Sequence, residues 1–256
     1  MSIRVSARVF EREARVFSKL WRGSVFSSFV TPVLYLGAMG LGLGGIVDAR
    51  NRSVGGLSYL AFVTPGLMAA GAMQSASGES LWPVLSGFKW MRHYHAMSAA
   101  VPRPGDIYDG VVAWLGCHVA ISSSAFLVVA ALLGGVHSGW AVLAVPAAVL
   151  GALSIVAPLM AFAATQESDA AFSPLMRLIV FPLFLFSGTF FPVSLLPGWG
   201  QALVVLSPLW HAVELCRAAT TGRGGWVDLA HVAALLACVV AGGLWGHRTF
   251  ARRLAP

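Results

Sequence analysis

The chain has 256 residues, of which 57% are apolar and only 11% carry a charge. A soluble domain typically has about 25% charged residues, so this chain could not cover a folded surface in water. The composition therefore excludes a soluble enzyme, a disordered chain and a disulfide scaffold, and it predicts an all-α integral membrane protein. A net charge of +7 would suggest nucleic acid as the partner of a soluble protein. In a membrane protein the position of each charge matters more.

The first 22 residues carry a regular basic pattern. The basic residues recur every three or four positions, at Arg4, Arg8, Arg12, Arg15, Lys19 and Arg22. On a helix they share one face, and apolar residues such as Val9 and Phe17 lie broadly opposite. Residues 1–22 are therefore predicted to form an amphipathic helix on the inner membrane surface, the alternative being a solvated basic tail. Glu13 falls inside the apolar arc, the side of the helix opposite the basic residues. Either the helix is irregular there or Glu13 meets another protein surface.

Uncharged stretches divide the rest of the chain, residues 23–256, into membrane spans, each of which needs about 20 apolar residues. Stretches of 25, 26 and 19 residues each hold one span, and a stretch of 57 holds two, separated by the turn-like residues 134–139. A stretch of 36 residues holds one span followed by an apolar segment that prolines interrupt, which is typical of a re-entrant segment. The six predicted spans are 24–47, 57–78, 107–133, 140–165, 173–191 and 228–247, with re-entrant half-helices at about 192–215 between spans 5 and 6.

An even number of spans places both termini on one side of the membrane. Thirteen of the 17 basic residues fall on that side and four on the other. Because basic residues concentrate in cytoplasmic segments, we predict a multi-pass protein of the inner (plasma) membrane with both termini in the cytoplasm.

The connection from Glu79 to Asp109 interleaves aromatic and basic residues. Its central part reads G-F-K-W-M-R-H-Y-H-A-M at positions 87–97. Aromatic and arginine side chains often anchor protein interfaces. A membrane-surface loop with tryptophan and tyrosine at headgroup level has the same composition, and composition alone leaves both alternatives open.

Motifs for catalysis are absent from the sequence. The only lysines are Lys19 and Lys89, so there is no G-x-x-x-x-G-K-[ST] phosphate loop, and no zinc or C-x-x-C motif occurs. The predicted spans hold almost no ionisable residues beyond His118, His231 and His247. We therefore expect no catalytic, metal or cofactor site on this chain, an apolar cavity if there is one, and energy supplied by a partner if it transports.

Two pairs of glycines have the spacing that lets membrane helices approach closely. Gly40 and Gly44 fall in the first predicted span, and Gly242 and Gly246 in the sixth. Such contacts form either within one subunit or between two.

Four short motifs follow one another towards the C-terminus. They are S-G-T-F-F-P at 187–192, L-P-G-W at 196–199, S-P-L-W-H at 207–211 and E-L-C-R at 214–217. In this order they resemble the C-terminal signature of the ABC type 2 permeases. Upstream, Y-L-A-F-V-T-P-G at 59–66 and R-P-G-D-I at 103–107 look like the subgroup that exports lipo-oligosaccharide nodulation factors, to which the daunorubicin-resistance permeases are similar.

The resemblance implies a transmembrane permease subunit that pairs with a second permease copy, as a homodimer or with a related permease. It also implies separately encoded ABC ATPase subunits, which bind ATP and Mg²⁺. A coupling helix at about 86–98 would meet the ATPase. The residues expected at that interface are Phe88, Lys89, Trp90, Arg92, Tyr94 and Glu13.

The segment after the fifth span would close the outer side of the path. The residues expected in this gate are Phe191, Pro192, Pro197, Trp199, Pro208, His211, Glu214 and Arg217. His211, Glu214 and Arg217 are three residues apart and are expected along one helix face, where a local Glu–Arg pair and a role in gating are compatible.

The resemblance implies ATP-driven export of an amphipathic or lipidic substrate, such as a lipid, a glycolipid or a hydrophobic drug. The alternative is a polytopic membrane protein that does not transport, such as an intramembrane enzyme or an assembly scaffold. A serine protease within the membrane would need a glycine-flanked serine, which the sequence around Ser77 does not supply.

Overall fold

The computed structural model of the protein describes residues 3–45, 56–99 and 103–255, and all regular elements in these residues are helices. Within these described ranges nine α-helices follow one another: α1 (Ile3–Leu36), α2 (Tyr59–Lys89), α3 (His93–Ser98), α4 (Gly105–Leu132), α5 (Ala144–Ala163), α6 (Phe172–Phe186), α7 (Gly198–Val205), α8 (Pro208–Thr221) and α9 (Val227–Leu254). A π-helical stretch, Gly37–Leu43, continues α1, and another, Met176–Val180, lies inside α6. A 3₁₀ turn, Gly139–Leu143, leads into α5.

Local sequence explains where several helices begin and end. The Ser58 hydroxyl accepts a hydrogen bond from the Ala61 amide and caps α2. Pro208 occupies the first turn of α8, where a missing amide hydrogen costs nothing. The same helix ends at Gly222, whose φ of 72° is a left-handed conformation that glycine adopts without strain.

Three helices of the described residues are long and apolar enough to cross a membrane: Gly105–Leu132, Gly139–Ala163 and Val227–Leu254. The helices α7 and α8 are bent by 82° at their junction and would count as a fourth if they form one broken span. The helix Phe172–Phe186 is apolar but shorter. The structure thus supports an all-helical membrane fold, and the count of six spans stays a prediction.

The N-terminal segment differs from its predicted form. No helix break separates residues 1–22 from the predicted span 24–47, because α1 runs without interruption from Ile3 to Leu36 and continues to Leu43. Gly23 is the one weak helix former at the expected boundary, and a single glycine costs only about 1 kcal/mol. Residues 46 and 47 of that predicted span lie outside the described residues.

The apolar arc of α1 packs on α4. Gly110 leaves room for this contact, since a Cβ placed on it would lie 2.6 Å from the Cβ of Val9. Farther along α1, Phe10 and Phe17 contact the ring of Trp114, with ring centroids 5.6 and 5.4 Å apart. At these three positions the arc therefore faces protein.

Small residues let α5 occupy the centre of the bundle, where it contacts α2, α4, α8 and α9. The alanines Ala144, Ala148 and Ala152 are fully buried on this helix. A Cβ on Gly151 would lie 2.3 Å from the Cβ of Ala212 in α8. Close approach of backbones is how membrane helices gain packing energy, because lipid provides no hydrophobic force between them.

The glycine pairs are in contact with their own chain. A Cβ on Gly242 would lie 2.6 Å from the Pro158 backbone nitrogen of α5, and one on Gly246 would lie 2.2 Å from the Tyr108 ring of α4. A Cβ on Gly40 would lie 2.6 Å from the Leu60 side chain. These contacts correspond to the alternative in which the small residues pack within one subunit.

Candidate functional sites

The predicted coupling segment is a helix end, a turn and a short helix rather than one helix over 86–98. The helix α2 ends at Lys89, and α3 begins at His93. Between them Arg92 has a φ of 53°, a left-handed conformation that a non-glycine residue rarely adopts. The turn exposes 58% of Trp90 and 73% of Met91. A large apolar surface at the apex of a turn is available to a partner.

Two of the predicted interface residues instead hold the turn to the bundle. Phe88 and Tyr94 are both buried, and their rings meet edge to face with centroids 4.9 Å apart. Each also contacts Phe250 of α9. Burial raises the pKa of the Tyr94 hydroxyl, and the nearby charge of Glu13 raises it further. This aromatic cluster fixes the position of the exposed turn.

Lys89 and Glu13 also contact their own chain. The Lys89 ammonium donates a hydrogen bond to the carbonyl oxygen of Glu167, in the loop between α5 and α6. The Glu13 carboxylate pairs with Arg12, and only 18% of its side chain is exposed. The helix α1 is regular at this position, and the charge of Glu13 acts on Tyr94 of the neighbouring α3.

His93, at the start of α3, is another polar residue whose ring nitrogens are buried at this end of the bundle. Both of its ring nitrogens are buried without a hydrogen-bond partner among the described residues. Burial, and secondarily the charge of Arg12, lowers the pKa of His93 to about 4. The imidazole is therefore neutral at pH 7.

The predicted outer gate begins where α6 ends. Gly188, just after α6, has a φ of 77° and turns the chain out of the helix. Ser187 and Ser207 are both buried, and their hydroxyl oxygens lie 3.2 Å apart, which joins the end of α6 to the bend between α7 and α8. The stretch 192–211 is therefore not one continuous helix.

The remaining residues of the predicted gate lie within this segment, between the end of α6 and the start of α8. Phe191 and Pro192 are partly buried, and the Phe191 ring lies 6.3 Å from that of Phe186. Pro197 is exposed at the start of α7, as is 73% of Trp199. Pro208 is partly buried at the start of α8.

Arg217 joins three elements of the predicted gate region. Its guanidinium donates to the Glu214 carboxylate at 2.5 Å and to the Gly188 carbonyl oxygen at 2.7 Å. It also lies over the Phe62 ring of α2, 4.4 Å from the ring centroid. Only 16% of the Arg217 side chain is exposed. The Glu–Arg pair expected from the spacing is thus present, and it is linked to both α6 and α2.

His211 pairs with a residue of α9 rather than with Glu214, which lies one turn away on its own helix. Its Nδ1 lies 2.7 Å from Nδ1 of His231 in α9, and the Trp210 ring meets both imidazoles edge to face. Three-residue spacing puts His211 on the same helix as Glu214 but does not bring the two side chains together. Only the packing of α8 against α9 reveals the histidine pair.

A polar pair that the sequence analysis missed lies between α2 and α4. Nδ1 of His118 is 2.9 Å from Oε2 of Glu79. Glu79 was assigned to a cytoplasmic connection, but α2 continues ten residues beyond it, to Lys89. The sequence feature that could have indicated this pair is the periodic polar face of residues 71–82, which a count of charged residues does not detect.

An all-helical bundle with several membrane-crossing helices and a sharply bent helix pair at one end defines a polytopic membrane protein. Residues 9–220 match the family model of the ABC-2 type transporters, and the chain belongs to this family.

Several named relatives cover most of the chain. Nodulation protein J of Rhizobium leguminosarum bv. trifolii is 31% identical over 234 residues, which are 91% of this chain and 87% of the relative. Nodulation protein J of Rhizobium meliloti (strain 1021) is 28% identical over 250 residues, or 97% and 93% of the two chains. The inner membrane transport permease YadH of Escherichia coli (strain K12) is 24% identical over 213 residues, or 80% and 78%.

Proposed function

We propose that this protein is the transmembrane permease subunit of an ATP-driven exporter, which moves an amphipathic or lipidic substrate out of the cytoplasm or inner leaflet. The observation that carries the proposal is the ABC-2 family match over residues 9–220. The name of one relative, an inner membrane transport permease, agrees with transport across the inner membrane. Two copies of the permease work with separately encoded ABC ATPase subunits, and ATP and Mg²⁺ bind to those subunits.

The orientation we propose has both termini in the cytoplasm. The basic residues support it, because 13 of the 17 fall on the side of the termini and basic residues concentrate in cytoplasmic segments. Exposed tryptophans also favour the interfaces between membrane and water. Trp140, Trp199 and Trp226 are 70%, 73% and 89% exposed, and they lie at or just before the first turns of α5, α7 and α9. With the termini inside, all three would lie at the outer interface.

The exposed turn between α2 and α3 is the proposed contact with the ATPase. Its apex offers Trp90 and Met91, and the buried pair Phe88 and Tyr94 fixes its position. A rigid turn can transmit a displacement of the ATPase to α2, because α2 extends from this turn to the outer cluster around Arg217.

The outer cluster is the proposed gate. Arg217 holds the loop after α6 against α2 and α8. Movement of α2 would change this contact, which gives a physical link between the cytoplasmic turn and the outer side. Glu214→Ala should therefore impair transport and leave binding of the ATPase intact.

Substitutions at the turn test the coupling contact. We expect Trp90→Ala combined with Arg92→Gly to release the ATPase or uncouple it, since interface anchors often contribute more than about 2 kcal/mol. Glycine is preferred at position 92 because its left-handed backbone would strain alanine. The measurement is the amount of ATPase that co-purifies with the tagged permease, together with its ATP hydrolysis.

Trp140→Ala serves as the matched control, because Trp140 is also an exposed tryptophan but lies just before α5, whose opposite end leads to the Glu167 loop beside Lys89. Full retention of a coupled ATPase by the double variant would contradict the assignment of this turn.

A further inference from the structure

One face of α2 is only partly covered and carries the polar residues Gln74, Ser75 and Glu79. Gly71, Gln74, Ser75, Gly78, Glu79 and Trp82 follow one another at helical spacing and are partly or fully exposed. Intervening residues such as Met73, Ser77 and Leu81 are buried. A Cβ placed on Gly71 or Gly78 would meet no atom of the described residues within 4 Å. We call these six residues the α2 polar stripe.

Glu79 lies deep along the bundle and not at its end. Its partner His118 is near the middle of α4, a helix of 28 residues that is apolar enough to cross a membrane. At 1.5 Å per residue, His118 is about 20 Å from the start of α4. A carboxylate at this depth is costly, and such residues generally face a cavity or the bundle interior and mark a functional path.

The ring of His118 packs against two aromatic side chains and contacts one oxygen of the Glu79 carboxylate. Its ring stacks on Trp114, with 3° between the planes, and meets Phe17 of α1 edge to face. It contacts Oε2 of Glu79, and the other oxygen, Oε1, has no partner among the residues that the structure describes. About a third of the Glu79 side chain is exposed on the open side of α2.

Trp82 gives the α2 polar stripe a second feature that suits a cation. It lies one helical turn from Glu79 on the same face and is partly exposed. A carboxylate and an indole ring together bind ammonium groups, the first through a charge-assisted hydrogen bond and the second through its π-face.

We propose that Glu79 is a specificity-determining residue of the transport path, which binds the protonated amine of a cationic amphiphile with Trp82 beside it and with His118 as the positioning residue. The inference rests on the proposed function, since it names the substrate class of that path. The apolar part of the amphiphile would lie along the surrounding hydrophobic surface.

Matched single-chain amphiphiles test the proposal. The purified permease, in nanodiscs of uncharged phosphatidylcholine, is titrated with dodecylamine and with dodecanol while its thermal unfolding is followed. We expect the wild type to bind the amine about tenfold more tightly than the alcohol. Glu79→Gln should abolish this preference. Glu167→Gln is the matched control and should keep it, because the Glu167 side chain is 85% exposed in a loop.

A labelling experiment on the wild type makes the test independent of any variant. A hydrophobic carbodiimide modifies carboxyl groups that it reaches from the membrane, and mass spectrometry of the peptides locates the adduct. We expect Glu79 to be modified, and we expect dodecyltrimethylammonium but not dodecanol to protect it. The quaternary ammonium is the probe here because, unlike a primary amine, it does not react with the activated carboxyl group. Absence of selective protection would overturn the proposal even if Glu79→Gln failed to fold.

Other outcomes are also decisive. Equal affinity for the two probes, or a preference that survives Glu79→Gln, would overturn the proposal. A shift between monomer and dimer in Glu79→Gln without loss of the amine preference would assign the α2 polar stripe to a second copy of the chain. Neither experiment uses ATP or an ATPase, so their failure is distinct from a failure of ATP-driven export.

Discussion

Arg217 connects α8 with α2 and with the loop after α6. Its planar guanidinium makes two hydrogen bonds in different directions, to Glu214 and to the Gly188 carbonyl oxygen, and its face covers Phe62. A lysine ammonium keeps the charge but cannot reproduce this geometry.

We therefore expect Arg217→Lys to lower stability by about 1–3 kcal/mol, measured as a lower midpoint of thermal unfolding in detergent. Arg248→Lys, at an exposed position of α9, is the control and should leave the midpoint unchanged. A midpoint for Arg217→Lys equal to that of the wild type would show that the contacts of Arg217 add nothing to the fold.

His93 predicts how stability depends on pH. Its pKa falls from 6.5 to about 4 in the folded protein, first because of burial and second because of Arg12. The unfolded chain then binds more protons than the folded one between these values. The contribution of neutral His93 is present above pH 6.5 and is lost as the pH falls towards 4.

Unfolding midpoints at pH 7 and pH 5 measure this loss. His93→Phe should reduce the difference between the two midpoints, because phenylalanine occupies the buried position without a titratable group. His95→Phe, at an exposed position of the same helix, is the control. An unchanged pH dependence in His93→Phe would assign the acid sensitivity to other groups.

At the level of single residues, spacing in the sequence was enough to predict the pair of Glu214 and Arg217, because both lie on one helix. It could not predict the pairs of His211 with His231 or of Glu79 with His118. Each of these joins two helices distant in sequence, and only their packing brings the side chains together.

Among the elements, α9 illustrates how glycine sets the distance between helices. Gly242 faces the backbone of Pro158 in α5, and the adjacent Gly243 faces open space. Gly242→Ala should destabilise the bundle by about 1–3 kcal/mol through overpacking.

Gly243→Ala, one position away, should be neutral or stabilising, since alanine is the better helix former. Unfolding midpoints of the two variants measure the contrast. Equal midpoints would mean that α9 does not approach α5 as closely as the structure shows.

Element boundaries were the least predictable part of the fold. The helices α4, α5 and α9 follow from uncharged stretches of sufficient length, because burial in lipid leaves a strong compositional signal. The boundary at residue 22 had no such signal, since an amphipathic helix and a span can join without a break. The turn at Arg92 was also missed, because its left-handed backbone belongs to a residue type that does not mark turns.

For the whole molecule, the class was accessible from composition and the family from motifs near the C-terminus. The family match over residues 9–220 agrees with both. The proposed substrate contact on α2 could not be predicted, because its polar residues are separated in sequence by buried apolar ones. The expectation of an apolar cavity rested on the scarcity of ionisable residues in the predicted spans, and it stays a prediction.

In the proposed function, ATP hydrolysis on a partner drives an amphiphile across the membrane through this permease. The most direct measurement uses vesicles that contain the permease with its co-purified ATPase, with the ATPase outside. A fluorescent single-chain amphiphile is added, and a membrane-impermeant quencher reports how much remains in the outer leaflet. With MgATP we expect transfer to the inner leaflet, and we expect little transfer without ATP or with Glu214→Ala. Transfer at the same rate with and without MgATP, in vesicles whose ATPase is bound and active, would contradict ATP-driven export by this protein.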